Sequence, residues 1–111
     1  MENNRLELRD ILIGIMEECG EEPKLYYQSP ESIKLEYPCI IYKLRTMTSS
    51  YADNRSYKSN IGFDITYITR DPTSKVPARI VREPMMGFDR YYTASNLHHY
   101  AYTYTNTLKE V

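Results

Sequence analysis

Apolar residues near the start of the chain recur every three or four positions, which is the spacing of one helix face. Asn3 or Asn4 is a suitable N-cap, because a short amide side chain can accept a hydrogen bond from a free backbone N–H group. Gly20 favours the end of the helix, since glycine readily adopts the left-handed conformation common there. The pattern predicts a helix over about residues 4–19, with these positions facing the core: Leu6, Leu8, Ile11, Leu12, Ile15, Met16 and Cys19.

Most of the remaining apolar residues follow the two-residue period of β-strands. In residues 61–67, Ile61, Phe63, Ile65 and Tyr67 alternate with Gly62, Asp64 and Thr66, so the two sets occupy opposite faces. In the last strand, His98, Tyr100, Tyr102 and Tyr104 share one face in the same way. β-Branched and aromatic residues predict the other strands, and the full set of predicted strands is 24–28, 39–45, 61–67, 89–93 and 97–105.

Residues 47–59 are polar and lie between two predicted strands. They predict an antiparallel hairpin with an extended tip, and a tip that reaches beyond the core is a candidate contact arm. Residues 73–83 predict a second, short helix that Pro84 ends. The element order α, β, β, β, α, β, β predicts one α+β domain over residues 1–111, with a mainly antiparallel sheet and the helices packed on it.

The length and charge of the chain limit its possible functions. It has 111 residues, enough for one domain, and its formal net charge is -1, which argues against nonspecific nucleic-acid binding. No apolar run is long enough to span a membrane, and the first residues lack the order of a signal peptide, so we expect an intracellular protein.

The charge is divided unevenly along the sequence. Residues 1–22 contain seven acidic and two basic side chains, whereas residues 23–111 contain twelve basic and eight acidic ones. A division of this kind is typical of a solvated helix face, and it also suits copies of one subunit that meet head to tail. A basic stripe of Lys75, Arg79 and Arg82 on the second helix leaves the same alternatives open, together with a phosphate contact.

No arrangement of residues typical of an enzyme is present. The four glycines form no phosphate-binding loop, and no catalytic serine, zinc-protease or C-x-x-C motif occurs. The adjacent His98 and His99 point to opposite faces of a strand, so they cannot share one metal ion. We interpret Cys19 and Cys39 as small buried apolar residues. We therefore expect no enzymatic activity, no metal and no cofactor.

Tyrosine is the unusual residue, with 12 Tyr against 2 Phe and no Trp. It combines a large apolar ring with a hydroxyl group, and so it suits both a sheet with one wet face and a surface covered by another subunit. Tyrosines beside Arg90 could also stack single-stranded bases, although no known RNA-binding signature accompanies them.

Several short segments together resemble one family. They are, in order, Tyr37-Pro38-Cys39-Ile40-Ile41-Tyr42, Tyr51-Ala52-Asp53-Asn54, Asp64-Ile65-Thr66-Tyr67-Ile68, Arg70-Asp71-Pro72 and Phe88-Asp89-Arg90-Tyr91-Tyr92-Thr93-Ala94-Ser95-Asn96-Leu97-His98-His99. Over about residues 24–105 the chain resembles the tail terminator proteins of long-tailed bacteriophages, also described as tail completion, minor tail or neck proteins.

That resemblance implies a structural virion protein without catalysis. Six copies would form a ring that caps the tail tube, stops its growth and offers a surface for head-to-tail joining. The implied partners are further copies of the chain, the tail tube protein on one side and a head-tail connector or adaptor on the other. Phage DNA would pass through the ring without specific binding, no membrane would be involved, and assembly would take place in the host bacterial cytoplasm.

Two other functions remain open, namely a head-side connector of the phage neck and a small protein that binds single-stranded nucleic acid. Position and chemistry, rather than the family, suggest which residues contact other subunits or the tail tube. These are Tyr51, Asp53, Asn54, Arg55, Tyr57, Arg79, Arg82, Asp89, Arg90, Tyr91, Tyr92, Tyr100 and Tyr102.

Overall fold

A computed structural model of the protein describes residues 2–28, 34–52 and 55–108. Five strands form a single sheet in the order β1-β2-β3-β5-β4, and all neighbouring strands are antiparallel except β1 and β2. The predicted α+β fold with a mainly antiparallel sheet is therefore confirmed. The elements are α1 (Glu2–Glu18), β1 (Leu25–Tyr27), β2 (Cys39–Ala52), β3 (Arg55–Thr69), α2 (Val76–Val81), β4 (Met86–Ala94) and β5 (Leu97–Thr107).

Helix α1 ends as the sequence predicts but begins earlier. Gly20 has a φ of 78°, and its N–H donates to the Glu17 carbonyl, which closes the helix. The prediction of Asn3 or Asn4 as the N-cap is wrong, because both residues lie inside the helix. The buried Asn4 side chain instead donates a hydrogen bond to the Thr107 carbonyl at 3.0 Å, so it fastens α1 to the last strand.

Both helices pack on one side of the sheet, which we call the helix face. Every second residue of the central strands points to this side, and antiparallel pairing brings side chains such as Phe63 and Tyr104 next to each other. The buried core of the helix face consists of Leu8, Leu12, Ile15, Met16, Ile40, Tyr42, Ile61, Phe63, Ile65, Tyr67, Val76, Ile80, Met86, Tyr102 and Tyr104.

The opposite side, which we call the second face, has a smaller apolar cluster at one end. Cys39, Ile68 and Leu97 are buried there, with Leu35 and Tyr37 packed against them. Further along, the Arg45 side chain lies across the sheet, with its Nε 3.4 Å from Asp64 Oδ1 and its terminal nitrogen 3.5 Å from Thr105 Oγ1. A Cβ on Gly62 would lie 2.8 Å from that guanidinium group, and so Gly62 makes room for it.

Helix α2 is shorter than the predicted range of 73–83, because side chains form a turn before it. The Asp71 carboxylate accepts hydrogen bonds from the Thr73 N–H at 2.9 Å and from the Thr73 hydroxyl at 2.7 Å. The Ser74 hydroxyl oxygen in turn accepts a hydrogen bond from the Val76 N–H at 3.3 Å. These bonds hold residues 71–75 in a turn, as is typical of aspartate and serine ahead of a helix.

Strand β4 contains one residue more than its neighbour requires. Phe88 lies opposite Tyr102 and Arg90 lies opposite Ala101, so Asp89 forms a bulge between them. The bulge shifts the alternation by one residue, and as a result Phe88 and Tyr91 both point to the helix face. Ser95 and Asn96 then connect β4 to β5 with φ values of 53° and 62°, as in a tight hairpin turn.

Candidate functional site

The hairpin of β2 and β3 is longer than the rest of the sheet. Its ladder extends to the pair Ala52 and Arg55, whereas β5 follows β3 only as far as the pair Asn60 and Thr107. About four residue pairs therefore project as a two-stranded ribbon, a reach of about 13 Å. The domain is accordingly elongated, with extents of 51, 30 and 25 Å.

Five of the predicted contact residues lie between positions 51 and 57 of the sequence. Tyr51, Arg55 and Tyr57 belong by their backbones to β2 and β3, in the projecting ribbon. Asp53 and Asn54 lie outside the described residues. The backbone therefore has the extended shape that a contact arm needs, and the contact itself stays a prediction.

The basic stripe on α2 is partly paired within the chain. Arg79 Nε lies 2.5 Å from Glu18 Oε2 at the end of α1, and Arg79 Nη2 lies 2.9 Å from Glu83 Oε1. These carboxylates raise the pKa of Arg79 above its ordinary value. Arg82 is exposed just after the helix, and Lys75 is exposed just before it. Glu18 at the acidic end of α1 is thus paired with Arg79 of its own chain, which reduces the charge available for contacts between copies.

Four adjacent predicted residues, Asp89 to Tyr92, lie on β4, which is one edge of the sheet. Phe88 beside them is 51% exposed, Tyr91 is 48% exposed and Tyr92 is 39% exposed. We call Phe88, Arg90, Tyr91 and Tyr92 the β4 surface. Large apolar rings next to the free backbone of an edge strand are typical of a surface that another protein covers.

Side chains of β5 hold the tyrosines of the β4 surface in place. The Tyr91 hydroxyl lies 2.7 Å from His98 Nδ1, and its ring centre lies 4.9 Å from that of Tyr100. On the second face, Tyr92 stacks on His99 with ring centres 4.7 Å apart, and the Arg90 guanidinium lies 5.2 Å from the centre of the Tyr92 ring. The predicted separation of the two histidines onto opposite faces is confirmed.

The two predicted tyrosines of β5 have different surroundings. Tyr100 is partly exposed beside Tyr91, and burial together with Tyr91 and Asp71 raises its pKa. Tyr102 is only 2% exposed, because α2 covers it, and its hydroxyl donates to the Pro77 carbonyl at 3.0 Å. The prediction that Tyr102 belongs to a contact surface therefore has to be corrected, since its ring lies in the core of the single chain.

The thiols have no sign of chemical activation. Burial raises the pKa of Cys39 to about 11 and also raises the pKa of Cys19, so both are protonated at neutral pH. Cys39 is buried as predicted, while Cys19 is half-buried where α1 meets α2. Among the described residues, no three His, Cys, Asp or Glu side chains are close enough to hold a metal ion.

One polar cluster was missed at the level of sequence. Glu21 accepts hydrogen bonds from the Tyr67 hydroxyl at 2.7 Å and from the Ser74 hydroxyl at 2.9 Å, and the two hydroxyl oxygens lie 2.9 Å apart. Burial and the Glu21 carboxylate raise the pKa of Tyr67 above its usual range. The three residues come from different parts of the chain, and no sequence motif predicts that they lie together. Their arrangement connects the end of α1, strand β3 and the start of α2.

Comparisons with known proteins do not assign a family to this chain. In the described part of the chain, no helix is both long and apolar enough to cross a membrane. No model of a known protein family matches the sequence, and no curated protein matches it either.

Proposed function

We propose that this protein is a structural component of a bacteriophage neck or tail, with copies that form a six-membered ring on the end of the tail tube. The ring stops growth of the tube and provides the surface that joins the tail to the head. The β4 surface carries the proposal, because it combines exposed aromatic rings with a strand edge beside which the described residues place no further strand, as an assembly contact requires. The resemblance of residues 24–105 to tail terminators supplies the class of assembly.

Termination in this scheme depends on shape rather than on catalysis. The end of a growing tube exposes strand edges and loops that would receive the next ring of tube subunits. A ring of the present protein covers them and offers a different surface to the connector. The projecting ribbon of β2 and β3 has the length to reach a neighbouring subunit or the tube below. Neither step needs a metal, a cofactor or an activated side chain.

The nucleic-acid alternative fits the β4 surface less well. A base stacks on the free face of an aromatic ring, and the Tyr92 ring already contacts both His99 and Arg90. Tyr91 likewise contacts His98 and Tyr100. A strand of nucleic acid would have to displace these contacts, whereas a protein surface can pack against the rings as they are. The head-side connector shares all of these features, and only the partner distinguishes it from a terminator.

The test is native mass spectrometry and electron microscopy of the purified protein, alone and mixed with tail tubes. We expect six-fold rings, free or attached to one end of each tube. Phe88→Asp should abolish rings and tube capping, because it introduces a charge into the β4 surface. Val81→Asp is the matched control, since Val81 is 45% exposed on α2 and lies outside the β4 surface. It should assemble normally.

Three results would contradict the proposal in different ways. Rings that bind portal-side connectors and ignore tubes would assign the protein to the head side of the neck. A monomer that binds neither but binds single-stranded DNA, with affinity falling as salt rises, would favour the nucleic-acid alternative. Equal assembly by the Phe88→Asp and Val81→Asp proteins would remove the β4 surface from the contact.

A further inference from the structure

The two outer edges of the sheet are β1 and β4. Each of these two strands has only one neighbouring strand among the described residues. On either side of β1, the Lys24 carbonyl accepts a hydrogen bond from the Ile40 N–H, and the Gln28 N–H donates to the Tyr42 carbonyl, both at 2.9 Å. Because these backbone groups alternate in direction along a strand, those of Leu25 and Tyr27 point away from β2. The outer edge of β1 can therefore accept a further strand.

The two edges have opposite strand directions. β1 is parallel to β2, and three successive antiparallel pairings separate β2 from β4. Within one chain, β4 therefore runs antiparallel to β1. When a second copy stands beside the first in the same orientation, β4 of one copy meets β1 of the next as an antiparallel pair. The contact extends the sheet by one more antiparallel pair, so that β1 and β2 remain the one parallel pair of each described copy.

The strand pairings also relate positions on β1 to positions on β4. The strand pairings define rows of side chains across the sheet, and three such rows include a residue from both β1 and β4. A closed ring allows no translation along its axis, so if the strands run along that axis, each row continues into the same row of the next copy. The three rows are Leu25-Ile40-Tyr67-Tyr100-Tyr91, Tyr26-Ile41-Thr66-Ala101-Arg90 and Tyr27-Tyr42-Ile65-Tyr102-Phe88.

We propose that the copies of the ring join edge to edge, with β4 of one copy paired antiparallel with β1 of the next. Phe88 then lies opposite Tyr27 of the neighbouring copy, Arg90 opposite Tyr26 and Tyr91 opposite Leu25. The inference rests on the proposed ring and specifies how its subunits meet. It assigns the β4 surface to contacts between copies rather than to the tail tube.

The side chains on the two edges are complementary in this register. Phe88 and Tyr91 point to the helix face, and so do Tyr27 and Leu25, which pack against the main core. The aromatic rings left half-exposed on β4 are thus covered by apolar side chains on β1. On the second face, the Arg90 guanidinium meets the ring of Tyr26, a cation–π pair like the one Arg90 already makes with Tyr92.

The dimensions are compatible with a closed ring. Five strands spaced at about 4.8 Å give each copy a width of about 24 Å, so six copies make a continuous sheet about 144 Å around and about 46 Å across. The two helices occupy one side of the sheet only. They fit on the outside of this closed sheet, where the circumference is larger, and the second face then surrounds the opening.

Disulfide cross-linking tests the register. In a chain with Cys19→Ser and Cys39→Ala, the added pair Tyr26→Cys and Arg90→Cys should link neighbouring copies of assembled rings into a ladder of oligomers under mild oxidation. The two positions are four strand spacings apart within one chain, about 19 Å, so they cannot form a bond within it. The matched control carries Tyr26→Cys together with Ala94→Cys. Ala94 lies on the same strand and the same face as Arg90, about 13 Å further along the strand. This control should give at least about tenfold less linked product.

A mixture of single-cysteine chains separates this contact from a two-fold one. The Tyr26→Cys and Arg90→Cys proteins should link to each other and not to themselves. Dominant links between two Arg90→Cys chains would instead indicate β4 paired with β4, and would overturn the proposal. Rings that form on tubes without the Tyr26–Arg90 link would also overturn it while leaving the terminator function intact. Linked rings that ignore tubes would support the contact and contradict the terminator function, and absence of both rings and links would refute both.

Hydrogen exchange provides a measurement that needs no substitution. In the wild-type protein, the amides of Leu25 and Tyr27 should exchange at least about tenfold more slowly in rings than in the separated chain, because they become hydrogen-bonded to β4 of the neighbouring copy. Equal exchange in both states would overturn the proposed pairing even if the cysteine variants failed to fold.

Discussion

Replacing Tyr67 with phenylalanine removes one hydroxyl group from the cluster that connects α1, β3 and α2. The ring is fully buried and would remain packed, so the change removes only the hydrogen bond of 2.7 Å to the Glu21 carboxylate and the contact of 2.9 Å with the Ser74 hydroxyl. Hydrogen bonds to a charged partner contribute about 1.5–3 kcal/mol, and Glu21 is only half-buried, so water can replace part of the bond. We expect the free energy of unfolding to fall by about 1.5–2 kcal/mol.

The assay is urea unfolding at pH 7, followed by circular dichroism, with a thermal melt as a second readout. For a domain of this size, the expected loss corresponds to a decrease in Tm of about 6–8 °C. Tyr104→Phe is the matched control, because Tyr104 is also buried but its hydroxyl contacts the neutral Asn106 amide at 3.1 Å. It should cost about 0.5–1 kcal/mol.

A double-mutant cycle with Glu21→Gln assigns the effect to the pair. Tyr67→Phe and Glu21→Gln act on the same bond, so their combined cost should be smaller than the sum of the single costs by at least about 0.5 kcal/mol. The reasoning is refuted if the costs simply add, or if Tyr67→Phe destabilises the protein no more than Tyr104→Phe does.

Three further predictions concern the folded chain. Burial raises the pKa of Tyr102, so the folded state keeps a proton that the unfolded state releases above about pH 10; stability is full below that pH and falls above it by up to about 1.4 kcal/mol per pH unit. Tyr102→Phe should lessen this decline in urea titrations at pH 9–11, and an unchanged slope would contradict the assignment. Gly14→Ala should stabilise α1 by about 0.5–1 kcal/mol, whereas Gly20→Ala, at a φ of 78°, should destabilise the protein by about 1 kcal/mol, although a Cβ meets no atom within 4 Å at either position. Thermal melts that moved in the same direction for both variants would count against this. Leu12→Ala should cost about 2–5 kcal/mol in urea unfolding with an unchanged m-value, and a loss below about 1 kcal/mol would mean that α1 does not close the core.

The sequence was informative wherever a local pattern determined the structure. The alternation from Ile61 to Tyr67 predicted which side chains of β3 face the core, and all four apolar positions are buried. Gly20 predicted the end of α1, because glycine readily adopts the left-handed conformation that is common there, and its φ is 78°. Patterns of this kind depend on neighbours within a few residues, so they can be read without knowledge of the fold.

The features that the sequence did not predict depend on distant residues. Asn4 looked like an N-cap, but its partner is Thr107, 103 positions away. Tyr100 and Tyr102 share a face and a residue type, and only the position of α2 decides that Tyr102 is buried. The exposed aromatic residues of β4 were therefore predicted in part: Tyr91 and Tyr92 were among the candidate residues, whereas Phe88, which the bulge places beside Tyr91, was not.

The bulge at Asp89 also has a consequence for how this strand tolerates changes in length. Asp89 is the one residue of β4 with no partner in β5, so its deletion would leave Phe88 opposite Tyr102 and Arg90 opposite Ala101. All other side chains of the strand would keep their faces. Deleting Phe88 or Arg90 instead would shorten the strand by the same one residue. Asp89 would then occupy the paired position of the deleted residue. Related sequences that are one residue shorter here should therefore have lost the aspartate and kept the aromatic residues on both sides of it.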